Sequence, residues 1–240
     1  MKIIGMIPAR MGSQRVKRKN LRLLNGKPLV EYIFDAASKA DYLDEIYINS
    51  EDQIFEDIAS PFGIKFYKRD PFLAGEEATN DHFAFDFLRN MECDILIQLL
   101  PTSPFITTQD INSFIEYMLK NNLETLTSVE PKQIGCIYED KPVNFDTNAI
   151  LEKSQNLKPV LAYTGALMGW NRNKFIENMD KHGCAYHGNN TILGHYEWKG
   201  LSTIDIDNEE DFLLADKLMK ALEYNVETEP RFYSKLYNKD

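Results

Sequence analysis

The chain has 240 residues, which suits one α/β domain with an elaboration and is long enough to bury a substantial core. Its net charge of −10 argues against nucleic acid or an anionic membrane as a partner. No apolar stretch reaches membrane-spanning length, and the three scattered cysteines predict a reducing, cytoplasmic setting rather than a disulfide framework.

The chain begins with a short apolar run at residues 3–7, which predicts a buried strand. Five cations follow within ten positions: Arg10, Arg15, Lys17, Arg18 and Lys19. Charge runs are often only solvated loops, and that reading stays open, above all for Lys17 and Arg18. In an acidic chain, however, a cationic loop directly after the first strand favours an anionic ligand such as a nucleoside triphosphate.

Two small residues inside this loop strengthen the anion hypothesis. Gly12 permits close approach of a ligand to the backbone, and Ser13 adds a hydroxyl beside it. Successive backbone N–H groups in such a loop can form a nest for an anion. The loop contains neither the Walker A motif, GxxxxGK[ST], nor the dinucleotide-binding fingerprint, GxGxxG. We therefore expect Arg10 and the amides around Gly12 and Ser13 to meet a triphosphate.

Further strands and helices are predicted to alternate along the chain. Strands are expected at residues 46–49, 64–67, 95–99, 126–129, 167–170 and 203–206. Helices are expected at 30–39, 83–91, 111–120 and 208–223, with Asp110 as the N-cap of the third. This alternation predicts an α/β fold, a Rossmann-like, mostly parallel sheet with helices on both faces. Ligands of such sheets bind outside the carboxyl ends of the strands.

One segment, at about residues 130–163, breaks the alternation with prolines and polar residues. We interpret it as an insertion carrying extended segments within a single domain spanning residues 1–225. The polar tail at 226–240 is expected to be peripheral.

Two carboxylates, Asp205 and Asp207, flank Ile206 at the end of the last predicted strand. The two-residue period of a strand places both on the same face. Hard oxygen donors of this kind suit Mg²⁺, which shares its coordination shell with water and phosphates. The alternative is that one of them caps the following helix. Asp207 is the better candidate for direct coordination, whereas Asp211 is expected to be structural.

A second group of potential ligands lies at His182, Cys184, His187 and His195. Its spacing matches no standard zinc pattern and no CxxC accompanies it. An acceptor-facing loop or a plain surface explains these residues better than a metal site does.

Several motifs give the chain a resemblance to a known family. They are Ile7-Pro8-Ala9-Arg10 through Lys19-Asn20, Leu24-Asn25-Gly26-Lys27-Pro28-Leu29, Pro101-Thr102-Ser103-Pro104, Tyr163-Thr164-Gly165-Ala166, and Ile204-Asp205-Ile206-Asp207. In this order they resemble the acylneuraminate cytidylyltransferases over residues 3–216. The first motif is specific, and the others carry weight together.

The resemblance implies a nucleotide site for CTP and a set of residues that bind it. The nucleotide-binding positions are Pro8, Ala9, Arg10, Gly12, Ser13, Lys19, Asn20, Arg69, Thr79 and Asn80. Arg10, Lys19 and Asp207 would be catalytic, with Mg²⁺ held by Asp205 and Asp207. The insertion corresponds to an arm that packs on a second subunit in the family, so a homodimer is implied.

The acceptor side departs from the family pattern. The positions of a sugar-contacting glutamine and of three arginines hold Leu100, Ile106, Ser154 and Ala162 here. The acceptor-binding candidates that remain are Gln98, Thr102, Ser103, Gln155 and Thr164. Arginine forks are the natural partners of a carboxylate, so their loss indicates an acceptor other than ordinary sialic acid.

These observations predict a Mg²⁺-dependent enzyme that transfers CMP from CTP to a small anionic acceptor with release of pyrophosphate. The preferred acceptor is an acidic sugar, a nonulosonic or related 2-keto sugar acid used in surface glycans. A smaller phosphorylated metabolite, a different nucleotide with a sugar phosphate, and an inert nucleotide-binding module remain alternatives.

Overall fold

The structure, a computed structural model, describes residues 1–150 and 153–224. Eleven strands are present in these ranges: β1 (Ile3–Pro8), β2 (Leu23–Leu24), β3 (Lys27–Pro28), β4 (Glu45–Ser50), β5 (Lys65–Lys68), β6 (Ile95–Leu99), β7 (Thr125–Lys132), β8 (Ile137–Tyr138), β9 (Lys141–Pro142), β10 (Val160–Asn171) and β11 (Leu193–Glu197). The α-helices there are α1 (Leu29–Ala37), α2 (Ile54–Ala59), α3 (Asn80–Asn90), α4 (Thr108–Lys120), α5 (Arg172–His182) and α6 (Glu209–Leu222).

Seven strands form one sheet in the order β11-β7-β10-β6-β1-β4-β5. All neighbours are parallel except β10, which runs antiparallel to both β6 and β7. The apolar run of β1 is buried on both sides because β1 is an interior strand and apolar side chains pack on both faces of the sheet, on Ile3 and Ile7 from one and on Ile4 and Met6 from the other. The predicted mostly parallel α/β fold is confirmed.

Helices cover both faces of the sheet, as predicted. On one face, α1, α2 and α4 pack through Phe34, Phe55 and Phe114. On the other, α3 and α5 pack through Phe87 and Phe175. No helix in the described ranges is long and apolar enough to span a membrane.

A third apolar cluster lies at one end of the molecule and joins distant parts of the chain. It contains Val16 from the cationic loop, Ile206 from between the two acids, and Phe212 from α6. Val16 and Ile206 are fully buried there. Burial of these two side chains therefore brings the cationic loop and the acidic pair to the same place.

Two local predictions were wrong. Residues 203–206 form no strand: Gly200–Thr203 is a short 3-10 helix, and the next residues are extended but unpaired in a sheet. Helix α4 is capped by Thr107, whose side chain accepts a hydrogen bond from the Asp110 amide. The Asp110 carboxylate, at the third helical position, accepts a hydrogen bond from the Thr107 amide. The pattern at 107–110 is thus a capping box shifted by three residues from the predicted cap.

The insertion after β7 does carry extended segments. Strands β8 and β9 form a small hairpin whose turn residues, Glu139 and Asp140, both have positive φ. This is the backbone conformation that two-residue hairpins prefer. The predicted tail at 226–240 lies outside the described residues.

Candidate functional site

A cavity of about 610 Å³ opens at the carboxyl ends of β1 and β6. Sequence reasoning placed many of its lining residues there: Pro8, Arg10, Ser13, Lys19, Asn20, Arg69, Thr79, Asn80, Thr102, Asp205 and Asp207. These residues come from five separate stretches of the chain. The structure therefore gathers most of the predicted nucleotide-side residues around one opening.

The two acids reach this cavity without a strand to hold them. The Ile206 amide between them donates to the Thr102 carbonyl at 2.8 Å, and the Ile206 side chain is buried. Ser103 donates a longer hydrogen bond of 3.4 Å to the Asp205 carboxylate. The extended backbone and the buried residue between them leave Asp205 and Asp207 on the cavity side.

Neither acid caps the following helix. Asn208 is the N-cap of α6, and its side chain accepts a hydrogen bond from the Asp211 amide. The Asp211 carboxylate in turn accepts from the amides of Asp207 and Asn208, at 2.9 and 3.0 Å. Asp211 is thus part of the structure that positions Asp207, and neither Asp205 nor Asp207 is used as the helix cap.

Cations from the first loop contact this acidic segment. The Arg15 guanidinium lies 2.8 Å from Asp207, and the Lys19 ammonium donates to the Ile206 carbonyl at 2.5 Å. Burial lowers the pKa of Lys19, although the charges of Asp207 and Asp205 oppose that effect. Sequence reasoning did not assign Arg15 a role, although its place in the cationic cluster was a usable signal.

Arg10 lines the cavity and points toward the segment before α3. Among the residues that the structure describes, its guanidinium makes only long contacts, 3.5 and 3.4 Å, to the carbonyls of Ala74 and Gly75. Asn20 is buried and donates to the Arg10 carbonyl at 3.2 Å, which fixes the backbone at that point. Ser13 lines the cavity, whereas Gly12 is exposed and does not.

Arg69 is the most buried cation of the site, with a side chain only 2% exposed. It donates to the Ala9 carbonyl at 3.1 Å and to the Glu51 carboxylate at 3.0 Å. Burial lowers its pKa, while the Glu51 carboxylate acts in the opposite direction. Ala9 contributes this carbonyl from a buried position and does not itself line the cavity.

Thr79 and Asn80 lie where α3 begins. The Thr79 amide donates to the His82 ring at 3.0 Å in a capping box, which explains His82 as a structural residue. The carboxylate of Asp81, which follows Asn80, accepts hydrogen bonds from the amides of Ala185 and Tyr186 at 2.7 and 2.8 Å. The start of α3 is therefore joined to the loop that follows α5.

The predicted acceptor-side residues are less closely grouped. Thr102 lines the cavity, and Ser103 is buried behind it. Gln98 is fully buried, and neither of its amide atoms has a hydrogen-bond partner among the described residues. Thr164 donates to the Ser128 hydroxyl at 2.9 Å, and Gln155 is exposed in the insertion.

The residues that replace family side chains differ in where they lie. Leu100 lines the cavity, whereas Ile106 is 4% exposed and belongs to the core. Ser154 is exposed and Ala162 is half-buried, and both lie in the insertion. Gln14, Phe83 and Glu76 also line the cavity, and no sequence motif pointed to them.

The donor set of Asp205 and Asp207 fits a hard divalent cation. Both supply carboxylate oxygens at a place where phosphate oxygens and water can complete a coordination shell. Burial raises the pKa of Asp205, opposed mainly by hydrogen bonding from Thr102, and a bound cation would favour its ionised form. In the described part of the chain, no group of three or more His, Cys, Asp or Glu side chains is arranged to hold a metal.

A mostly parallel sheet with a cationic and carboxylate-bearing cavity at its strand ends defines a nucleotide-binding α/β protein. The chain belongs to the cytidylyltransferase family, because the model of that family matches residues 4–228. It is a CTP-dependent nucleotidyltransferase of that family.

Two curated relatives are similar over most of the chain. It is 28% identical to CMP-N,N'-diacetyllegionaminic acid synthase of Legionella pneumophila, covering 92% of this chain and 97% of that protein. It is 25% identical to N-acylneuraminate cytidylyltransferase of Streptococcus agalactiae, covering 100% of this chain and 60% of that protein. The chain thus spans three fifths of the streptococcal relative.

The fold is also similar to that of a solved CMP:2-keto-3-deoxy-manno-octonic acid synthetase, a structure determined in complex with CTP. The TM-score is 0.70 at 17% identity, covering 93% of this chain and 100% of that one. A second solved structure, 4-diphosphocytidyl-2C-methyl-D-erythritol synthase from Anaerococcus prevotii, gives a TM-score of 0.65 at 14% identity, covering 91% and 96%.

Proposed function

We propose that this chain transfers CMP from CTP to a hydroxyl of an acidic sugar, a nonulosonic or related 2-keto sugar acid, for surface glycan biosynthesis. One observation carries the proposal: Arg10, Lys19 and the acids Asp205 and Asp207 line the same cavity in a chain of the cytidylyltransferase family. The curated relatives support an acidic sugar, because their names specify legionaminic and neuraminic acids.

In this reaction an acceptor oxygen attacks the α-phosphorus of CTP. A new phosphorus–oxygen bond forms to the acceptor, the bond between the α-phosphorus and its bridging oxygen breaks, pyrophosphate leaves, and the acceptor hydroxyl loses its proton to water. The cations hold the triphosphate in line and stabilise the charge on the leaving group. Arg10 and Lys19 take these roles. The amides of Met11 and Ser13 already donate to the Glu51 carboxylate and the Met11 carbonyl, so they are not counted among the donors.

Mg²⁺ would be held by Asp205 and Asp207 and would supply Lewis-acid stabilisation of the phosphate charge. Arg15 and Lys19 neutralise the same segment, so the local charge is balanced before any ligand arrives. Arg69, Thr79 and Asn80 also line the cavity and are assigned to the cytidine. Thr102, Ser103, Thr164 and Gln155 are assigned to the acceptor side, whereas Gln98 is fully buried outside the cavity lining and is not assigned there.

A homodimer is part of the proposal, with the insertion at 130–163 packing on a second copy. Large apolar side chains are exposed there: Ile134 is 60% exposed, Ile137 67% and Tyr138 70%. Covering such side chains is a common basis for association. Light scattering should give a dimer, and Tyr138→Asp together with Ile137→Asp should shift it toward the monomer.

A cytoplasmic location is proposed from the cysteine usage.

The function is tested by incubating the protein with Mg²⁺, CTP and a panel of acceptors, with pyrophosphate release as the readout. The panel contains nine- and eight-carbon 2-keto sugar acids and small phosphorylated metabolites. Release with a sugar acid, and with CTP over the other three nucleotides, is the expected result. Pyrophosphate release only with a phosphorylated metabolite would overturn the proposed acceptor. No pyrophosphate release with any acceptor would overturn the proposal that the chain catalyses this transfer.

A further inference from the structure

Glu51 is a carboxylate behind the cavity that the proposed reaction does not use. It follows β4 directly, its side chain is 16% exposed, and it is not part of the cavity lining. One of its oxygens accepts a hydrogen bond from the Met11 amide at 2.8 Å, and the other accepts from the Arg69 guanidinium at 3.0 Å. A single carboxylate therefore joins the cationic loop after β1 to the residue that follows β5.

The backbone around Arg10 is fixed on both sides by side-chain hydrogen bonds. Arg69 donates to the Ala9 carbonyl at 3.1 Å, and Asn20 donates to the Arg10 carbonyl at 3.2 Å. The Met11 amide is the third fixed group, through its hydrogen bond to the carboxylate behind the cavity. Because both peptide groups that flank Arg10 are held, the position from which its side chain extends is set before a nucleotide arrives.

Arg69 is a buried cation for which Glu51 supplies the counter-charge. Its guanidinium lies over the Phe83 ring, 5.5 Å from the centroid, and its amide donates to the Ser50 carbonyl at 3.0 Å. In the part of the chain that the structure describes, Glu51 is the one acid that forms an ion pair with it. A buried guanidinium without its carboxylate is strongly destabilised, so Glu51 keeps Arg69 in the orientation that lines the cavity.

Arg10 and Arg69 are like charges that line one cavity. Burial has the largest effect on the pKa of Arg69 and lowers it, Glu51 opposes that effect, and the charge of Arg10 adds to it. From outside the cavity lining, Glu51 therefore offsets the repulsion between the two cations. The cavity itself stays positive for a triphosphate.

We propose that Glu51 is a positioning residue for CTP: its two oxygens hold the backbone beside Arg10 and the guanidinium of Arg69, so that cations at a fixed separation bind the triphosphate and the cytidine. The inference rests on the proposed function, which assigns Arg10 to the triphosphate and Arg69 to the cytidine. Glu51 touches neither part of the nucleotide and acts through these two side chains. Misplacement of a binding group by about 1 Å can cost on the order of a hundredfold in rate, so a carboxylate that fixes two such groups has a large effect.

The test measures CTP affinity by titration calorimetry with Mg²⁺ and without an acceptor, so the result does not depend on which acceptor the protein uses. Glu51→Gln keeps the side-chain volume and removes the charge, whereas Glu51→Asp keeps the charge on a shorter side chain. Asp57→Asn, which alters an exposed acid on α2, is the matched control. A double-mutant cycle adds Arg10→Ala and the combination of Arg10→Ala with Glu51→Gln.

Glu51→Gln is expected to raise the Kd for CTP about tenfold, the loss typical of a charge-assisted hydrogen bond. Glu51→Asp should lose less, and Asp57→Asn should bind CTP as the unaltered protein does. In the cycle, the double variant should lose less affinity than the product of the two single losses, because Glu51 has one side chain fewer to position once Arg10 is removed. Unchanged affinity in Glu51→Gln, or losses that multiply in the cycle, would overturn the inference, since a role in stability alone does not couple to Arg10.

Pyrophosphate release by the unaltered protein separates this inference from the proposed function. If no acceptor gives release, the proposed function fails, and the CTP affinities still decide the role of Glu51. If the unaltered protein binds no CTP, both fail. Thermal melting checks the fold, and where Glu51→Gln is unfolded the same cycle with Glu51→Asp, which retains the counter-charge of Arg69, gives the decision.

Discussion

The Arg15 guanidinium lies 2.8 Å from the Asp207 carboxylate, across 192 positions of sequence. Arg15 is 69% exposed and Asp207 49% exposed, so solvent weakens this ion pair and its free energy is small. Its significance is positional. It shows that the cationic loop after β1 and the acids before α6 meet at one side of the cavity.

Removal of the Asp207 carboxylate should abolish turnover and leave the fold intact. Asp207→Asn removes a proposed metal ligand but no core volume, so we expect pyrophosphate release to fall by about a hundredfold or more. The matched control is Glu210→Gln, an exposed acid in the first turn of α6. Turnover of Asp207→Asn at the level of the control would remove Asp207 from the mechanism, and thermal melting reports the fold.

Loss of the Arg10 side chain should weaken both CTP binding and turnover. Its guanidinium makes long contacts to the Ala74 and Gly75 carbonyls, so a phosphate would not have to displace a strong partner in the described part of the chain. Arg10→Ala should raise KM for CTP about tenfold or more, and Arg10→Lys, a point charge without a fork, should recover part of it. Lys17→Ala, in the same loop but outside the cavity lining, should behave as wild type. If Arg10→Ala does so too, Arg10 is no triphosphate ligand.

The buried pair of Arg69 and Glu51 should show strong coupling in stability. Arg69→Met leaves the Glu51 carboxylate without its cation, at 16% exposure, and should cost about 3 kcal/mol. Arg69→Met combined with Glu51→Gln should recover a large part of that loss. Urea unfolding of the two single variants and the double variant measures the coupling. Simple additivity of the two changes would contradict it.

Glu45 should make the free energy of unfolding depend on pH in the acidic range. Hydrogen bonds from Tyr47, Lys65 and Lys2 lower the pKa of Glu45 to about 2, opposed by desolvation. Because the folded pKa lies below the unfolded one, this stabilisation is present above about pH 4.5 and is lost as the pH falls toward 2.

The difference in unfolding free energy between wild type and Glu45→Gln, about 1 kcal/mol at neutral pH, should shrink through that window. Asp57→Asn, which alters an exposed acid on α2, provides the comparison. A difference that stays constant from pH 7 to pH 2.5 would show that Glu45 is not responsible.

Sequence patterns located most of the sheet because buried strands leave a local signal. The run at 3–7 became β1, and residues 95–99 match β6. They missed β11, an edge strand in which His195 and Glu197 are exposed, and the helices α2 and α5. Edge strands and short helices carry little apolar periodicity of their own.

The error at 203–206 has a physical explanation. Alternation of Ile204 and Ile206 with two acids mimics a half-buried strand, yet Ile206 is buried in a cluster with Val16 and Phe212 rather than on a sheet. Both carboxylates still line the cavity, as their two-residue spacing predicted. The predicted pairing of the acids was therefore correct, although the strand from which it was derived does not form. Spacing determines relative direction, and packing determines what lies opposite.

By itself the sequence determined the α/β class, the cationic loop after the first strand and the paired acids, because each depends on residues near one another in the chain. Only the tertiary structure decided that Arg15 and Lys19 meet Asp207 and Ile206, that Gln98 is sealed in the core, and that His187 and His195 join Tyr163 in one surface. Those relations arise from burial of Val16 and Ile206 together and from strand order in the sheet, and no local pattern encodes either.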